Sequence, residues 1–152
     1  MLAAVTREEA GEPTQNIAIP AKICGTRWTI VHCKGALESL ELALRTLKAD
    51  KQRSMINGLK NQLERHANGH PMAEKSFENE GLLPPLNKGK KARHFKAYKR
   101  LPIRAYCWQS PGTRDTWFIS HYITKRRTKL TSADTTRVGD NYTRIEIDGE
   151  HC

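Results

Sequence analysis

The sequence predicts an α+β fold: a small antiparallel sheet in β-α-α-β-β-β-α order, with helices packed mainly on one side. Three observations predict it. Two consecutive segments, 35–48 and 50–69, carry apolar stripes at helical spacing. Three segments between residues 93 and 126 are rich in aromatic and β-branched residues and are separated by turns containing proline. The helical and strand segments also come in blocks instead of alternating, which separates α+β from α/β organisation.

The chain has 152 residues, enough for one domain with its own hydrophobic core. Residues 1–25 contain Glu, Thr and Pro without periodicity and are expected to form a loosely ordered tail, leaving 26–152 as a single domain. Within that tail, the Ala18–Ile23 stretch "AIPAKI" can add a short edge segment, limited by Pro20. "TRWTIVHC" (26–33) reads as a strand. In "GALESLELALRTLK" (35–48), Leu37, Leu40, Leu44 and Leu47 share one helical stripe, flanked by Ala36 and Ala43. Asp50 is placed to cap a second helix whose apolar face is Met55, Ile56, Leu59 and Leu63. Gly58 weakens that helix by about 1 kcal/mol relative to alanine. A minimal turn between the two makes them a helical hairpin.

"HPMAEKSFENEGLLPPLNKGKK" (70–91) reads as a connector rich in proline and glycine. Strands follow at 93–100, 103–110 and 116–126, forming an antiparallel meander. Ser and Thr at 131–132 then introduce a modest last helix.

Charge gives the first indication of function. The chain carries 26 Lys and Arg against 16 Asp and Glu, net +10. Between Lys88 and Lys129 there are thirteen Lys and Arg and one acid, Asp115. That segment is +12, which leaves −2 for everything else. Positive charge focused in this way points to a polyanion, nucleic acid first. No apolar run reaches the ~20 residues of a membrane span. The start lacks a basic segment followed by an apolar one, so a cytoplasmic protein with reduced cysteines is expected. Cys24, Cys33, Cys107 and Cys152 include no C-x-x-C pair. His66 and His70 stand four residues apart, but "HANGH" reads as a helix end. No metal or cofactor is expected.

Side chains alternate across a strand. In "IRAYCW", Ile103, Ala105 and Cys107 share one face, and Arg104, Tyr106 and Trp108 the other. In "HFKAYKR", Phe95 and Ala97 suit the core, with Lys96, Tyr98 and Arg100 pointing away. The third strand has apolar residues on both faces, which leaves its core side open. One face of the sheet is thus expected to show Lys, Arg and Tyr together in a shallow groove, suited to phosphates and stacked bases of RNA.

The pair "HFKAYKRLPIRAYCW", the strand "ISHYITKRRTKL" running into "TSADTTRV", and the element order together resemble the RelE/HigB superfamily of type II toxin–antitoxin toxins. Ile103-Arg104-Ala105-Tyr106 and Lys125-Arg126-Arg127 carry the recurring pattern, and the resemblance covers about residues 26–148. It implies a metal-independent endoribonuclease (an mRNA interferase) cutting ribosome-bound mRNA, with a cognate antitoxin protein as partner. On this basis Arg104 contacts the scissile phosphate, and Lys96 and Lys125 stabilise the transition state. His121 is the candidate acid or base, and Tyr106 orients the nucleophile or stacks on a base. Lys99, Arg100, Arg126, Arg127 and His94 are expected to hold flanking RNA. Family members often end on an aromatic residue or histidine near the site, which Tyr142 or His151 can supply. Two alternatives remain: a non-catalytic RNA-binding module, and a ParE-like gyrase-inhibiting toxin on the same scaffold.

Overall fold

The computed structural model describes residues 19–86, 89, 91–125 and 130–150. These form an α+β fold around a mostly antiparallel sheet. In chain order the elements are β1 (Lys22–Cys24), β2 (Thr29–His32), α1 (Ala36–Leu44), α2 (Ala49–Ala67), β3 (Phe77–Leu82), β4 (His94–Arg100), β5 (Ile103–Gln109), β6 (Thr116–Thr124) and α3 (Ser132–Tyr142). A one-turn π-helix, Thr143–Ile147, extends α3. The strands lie in the order β1-β2-β6-β5-β4-β3. All neighbours are antiparallel except β2 and β6, which pair in parallel with Thr29 opposite Thr116.

Three expectations are corrected here. Strand β1 is an edge strand overlapping the segment expected from "AIPAKI", and with Ile19 and Ile23 buried the loose tail read over 1–25 does not extend through residues 19–25. The connector contains a further edge strand, β3, whose "FENEGL" has too few apolar residues to stand out. Asp50 lies in the first turn of α2, and the cap position belongs to Lys48.

Helices α1 and α2 cover one face of the sheet. Leu40 and Leu44 from α1 and Met55, Ile56, Leu59 and Leu63 from α2 pack on Ile30, Ile103, Ala105, Cys107, Ile119 and Tyr122. Ser39 fixes α1 to β6 by accepting a hydrogen bond from the Tyr122 amide at 2.8 Å. Helix α2 ends where Gly69, at φ +83°, turns the chain and the His70 amide reaches back to the Arg65 carbonyl at 2.9 Å.

The sheet's other face is covered as well. Val138 and Tyr142 of α3 pack with Phe95, Ala97, Tyr106, Trp108 and Phe118 in a second core. Thr131 caps α3 by accepting from the Asp134 amide. Beyond α3, Glu146 of the π-turn accepts from the Trp108 indole at 2.8 Å. Two of the three helices therefore lie on one face and the third closes the other. A polar groove open along the second face is not what forms.

Two glycines answer to different constraints. Gly25 packs directly on the backbone carbonyl of Ala67, which also accepts from the Arg27 and Trp28 amides. A methyl group there meets rigid backbone, so Gly25→Ala is expected to cost about 1–3 kcal/mol. At Gly58 the atoms nearest to an added methyl group belong to the Arg100 guanidinium, the mobile end of an exposed side chain. Gly58→Ala should therefore gain up to about 1 kcal/mol of helix propensity. Thermal denaturation of the two variants should move the midpoint in opposite directions.

Candidate functional site

The conserved parity of a strand would place alternate residues of β6 on opposite faces throughout, but a β-bulge intervenes. Cys107 pairs with Ile119 and Tyr106 with His121, so Ser120 is the extra residue. Trp117 and Ile119 before the bulge, and Tyr122 after it, all face α1 and α2. Phe118 before it and Ile123 after it face α3. Both faces of this strand read as apolar in sequence because the bulge exchanges odd and even positions.

Register sorts the basic residues between the two faces. Lys99 stands opposite Arg104, and Arg104 opposite Ile123, which puts all three on the α3 face. Lys96 stands opposite Cys107 and lies on the α1–α2 face, its ammonium 5.0 Å from the centre of the Phe77 ring. Tyr98 is buried on that face too, and Arg100 lies against Gly58 of α2. The grouping of Lys96, Tyr98 and Arg100 with Arg104 is therefore corrected. Phe95 and Ala97 share the face of Arg104, while Lys99 takes the position expected for Lys96. His94 is exposed at the start of β4. Arg126, Arg127 and His151 lie outside the described residues. Tyr142 is buried against Trp108, with ring centres 5.4 Å apart, as part of the second core.

Arg104, Tyr106, His121 and Lys125 do come together beneath α3, with Lys99 beside them. Acids that the local charge count left out meet them there, from β3 on one side and α3 on the other. Lys99 Nζ binds Glu78 at 2.5 Å and Glu80 at 2.9 Å. Burial opposes the charge on Lys99, but these hydrogen bonds outweigh it and raise its pKa. The cluster thus holds three cations and, counting Asp134, three carboxylates.

His121 has no exposed surface. Its Nε2 lies 3.2 Å from Asp134 Oδ1 and its Nδ1 lies 2.8 Å from Ser120 Oγ. Burial lowers its pKa further than Asp134 raises it, so the ring is neutral at pH 7. An ionised carboxylate only accepts, which places the proton on Nε2 and has Ser120 donate to Nδ1. Ser120 Oγ in turn accepts from Asn141 at 2.8 Å. This chain of bonds ties the bulge to α3, and it leaves His121 no route to a substrate proton in this arrangement. The acid–base role expected for His121 is not supported by its surroundings.

Tyr106 is fully buried as well. Burial raises its pKa, with Asp134 and Glu80 adding to the effect. Its hydroxyl has no partner at hydrogen-bonding geometry among the described residues, although the nearby Arg104 charge favours the ionised form. Stacking on a base is closed to it.

Lys125 differs from the others. It is 9% exposed, and its ammonium has no hydrogen-bond partner among the described residues. Burial lowers its pKa, and Arg104 lowers it further against the pull of Asp134 and Glu80. Arg104 is 3% exposed. An anion reaching these two side chains would give Lys125 its acceptor. Among the described residues no group of three or more His, Cys, Asp or Glu side chains could hold a metal ion. Cys24, Cys33 and Cys107 are not joined to one another by a disulfide.

No helix among the described residues is long and apolar enough to cross a membrane. No family model, curated protein or solved structure matches the chain.

Proposed function

We propose that the chain acts on RNA as the toxin of a type II toxin–antitoxin pair, a metal-independent endoribonuclease directed at ribosome-bound message. The observation that carries this reading is the buried Arg104–Lys125 pair, whose lysine ammonium, just past the end of β6, has no hydrogen-bond partner among the described residues. The chain continues from there into Arg126, Arg127 and Lys129. The pair is buried like its neighbours, so a scissile phosphate reaches it only when the surrounding side chains part; docked there, it would complete the hydrogen bonding of Lys125. The two cations would then offset the charge that builds on the phosphoryl oxygens.

In the reaction a ribose 2′-hydroxyl gives its proton to water and its oxygen bonds to the adjacent phosphorus while the phosphorus–O5′ bond breaks. The products are a 2′,3′-cyclic phosphate and a 5′-hydroxyl. Lys125, whose pKa is already lowered, can hand its proton to the leaving 5′-oxygen. Lys99 takes the supporting place first given to Lys96, on the same face and opposite Arg104. The acidic residues around the pair limit nonspecific attraction, so a bound phosphate is held by geometry more than by net charge.

The burial of His121 and Tyr106 favours a second reading, an RNA-binding protein that does not cut. Primer extension on a defined message, with and without translating ribosomes, separates the two. Cleavage by the wild-type chain that falls at least about 100-fold in Arg104→Ala, with its fold retained by circular dichroism, supports the endonuclease. Salt-dependent RNA binding with no cut supports the binding module. Neither cleavage nor RNA binding overturns both and leaves the gyrase-inhibiting alternative.

A further inference from the structure

On the sheet face opposite Arg104, the end of α2 meets β2 and the start of β3 around an open cleft of about 570 Å³. Arg27, Trp28, His66, His70, Met72 and Phe77 line it. Its walls combine flat rings with one cation, Arg27, and a second, Lys96, stands beside the lining at Phe77. The Arg27 guanidinium lies 3.7 Å above the Trp28 ring and binds Asp115 at 2.9 Å. That ion pair is half exposed at both ends, so it holds Arg27 weakly. Lys96 stands over Phe77, and the Phe77 and His66 ring centres are 4.8 Å apart.

His66 supplies a directed donor. Its Nδ1 is 2.5 Å from the Tyr98 hydroxyl. Burial raises the pKa of Tyr98 and lowers that of His66 to about 4, so both are uncharged at neutral pH. The tyrosine proton has only Nδ1 to go to, which places the imidazole proton on Nε2. Nε2 has no partner among the described residues.

We propose that this cleft binds a nucleotide, its base against the Trp28–Arg27 stack and the Phe77 edge, with His66 Nε2 donating to a ring acceptor and Arg27 and Lys96 drawing the phosphate. Aromatic rings and guanidinium planes accept any base face, and cations beside them add attraction for the phosphate. A cationic ligand is repelled by Arg27 and Lys96, and an aliphatic one leaves the imidazole donor and both cations unused. The nucleotide can be a free mononucleotide or an unstacked residue of single-stranded RNA. The proposal is independent of the Arg104 site, which lies across the sheet.

Calorimetric titration of the full chain with AMP, adenosine and a hexaadenylate tests it. Saturable AMP binding that weakens at least about tenfold in Arg27→Ala/Lys96→Ala, with adenosine binding little changed, supports the phosphate assignment. Trp28→Ala should weaken all three ligands, and Arg104→Ala should weaken none of them at this cleft. Arg27 is exposed and Lys96 half-buried, neither in the core, so the double variant keeps the test valid if Trp28→Ala fails to fold. Binding of AMP as well as the hexamer identifies free nucleotide as sufficient. Binding of the hexamer alone, with the same variant pattern, identifies an RNA strand. No saturable binding of AMP or hexamer at millimolar concentration overturns the proposal, as does binding that responds to Arg104→Ala but not to the cleft variants.

Discussion

Acidification from pH 7 to pH 4.5 is expected to remove most of the stability of this fold. His32 and His66 are 5% and 6% exposed, and burial lowers the pKa of each to about 4. His32 Nδ1 donates to the Ala21 carbonyl at 3.2 Å and its Nε2 accepts from the Tyr122 hydroxyl at 2.7 Å. In the unfolded chain both histidines titrate near 6.5. As pH falls through 6.5 the unfolded state takes up protons that the folded state refuses. Stability is therefore complete above about 6.5 and is lost as pH falls toward 4. A difference of this size corresponds to about 3 kcal/mol for each ring. Two such terms rival the total stability of a domain, about 5–15 kcal/mol. His121 adds to the loss in the same direction. Urea unfolding at pH 7 and at pH 4.5 measures it directly. Equal midpoints would mean that these histidines are not held neutral.

Replacing Lys125 by methionine should raise stability and weaken action on RNA. Methionine keeps the length of the apolar stem and removes an ammonium that burial and Arg104 both disfavour. Replacing buried charge with apolar volume is neutral or stabilising by about 1–4 kcal/mol. The same variant loses the group that would meet the phosphate, so RNA binding or cleavage should drop at least about tenfold. A gain in urea midpoint together with that loss marks a residue kept for function at a cost in stability. A fall in midpoint would show that the ammonium is satisfied in the folded chain and would sink the phosphate assignment. In the wild type, activity that needs charged Lys125 should decline on the alkaline side at lower pH than an ordinary lysine, near 10.4, would allow.

The strands β4, β5 and β6 and the helical hairpin could be read from periodicity because each has a pattern of its own. What escaped depended on partners distant in sequence. Phe95 and Ala97 suit a core and so does Tyr98, so the alternation in β4 could not say which face meets which helix. With both faces of the sheet covered, the test of one polar and one apolar side fails. The bulge at Ser120 cannot be seen without the opposing strand. Glu78, Glu80 and Asp134 lie outside the basic segment in sequence yet supply its counter-charges in space. Of the expected site, Arg104, Lys125, Tyr106 and His121 are neighbours. Lys96 and Arg100 are on the far face, and Lys99 replaces Lys96.

The parallel pairing of β2 with β6 also orders events in time. Thr29 and Thr116 are neighbours in the sheet but far apart along the chain. Between them lie α1, α2 and strands β3 to β5, so β2 can pair with β6 only after β6 has been synthesised. Closing so long a loop is slow compared with forming a hairpin or a helix. During synthesis, β1 and β2 therefore wait as an unpaired ribbon, and α1 with α2 lacks the finished surface it covers. Residues 104 and 125 likewise meet only once β6 has paired with β5, so the nascent chain lacks this pair of buried cations until β6 has been made.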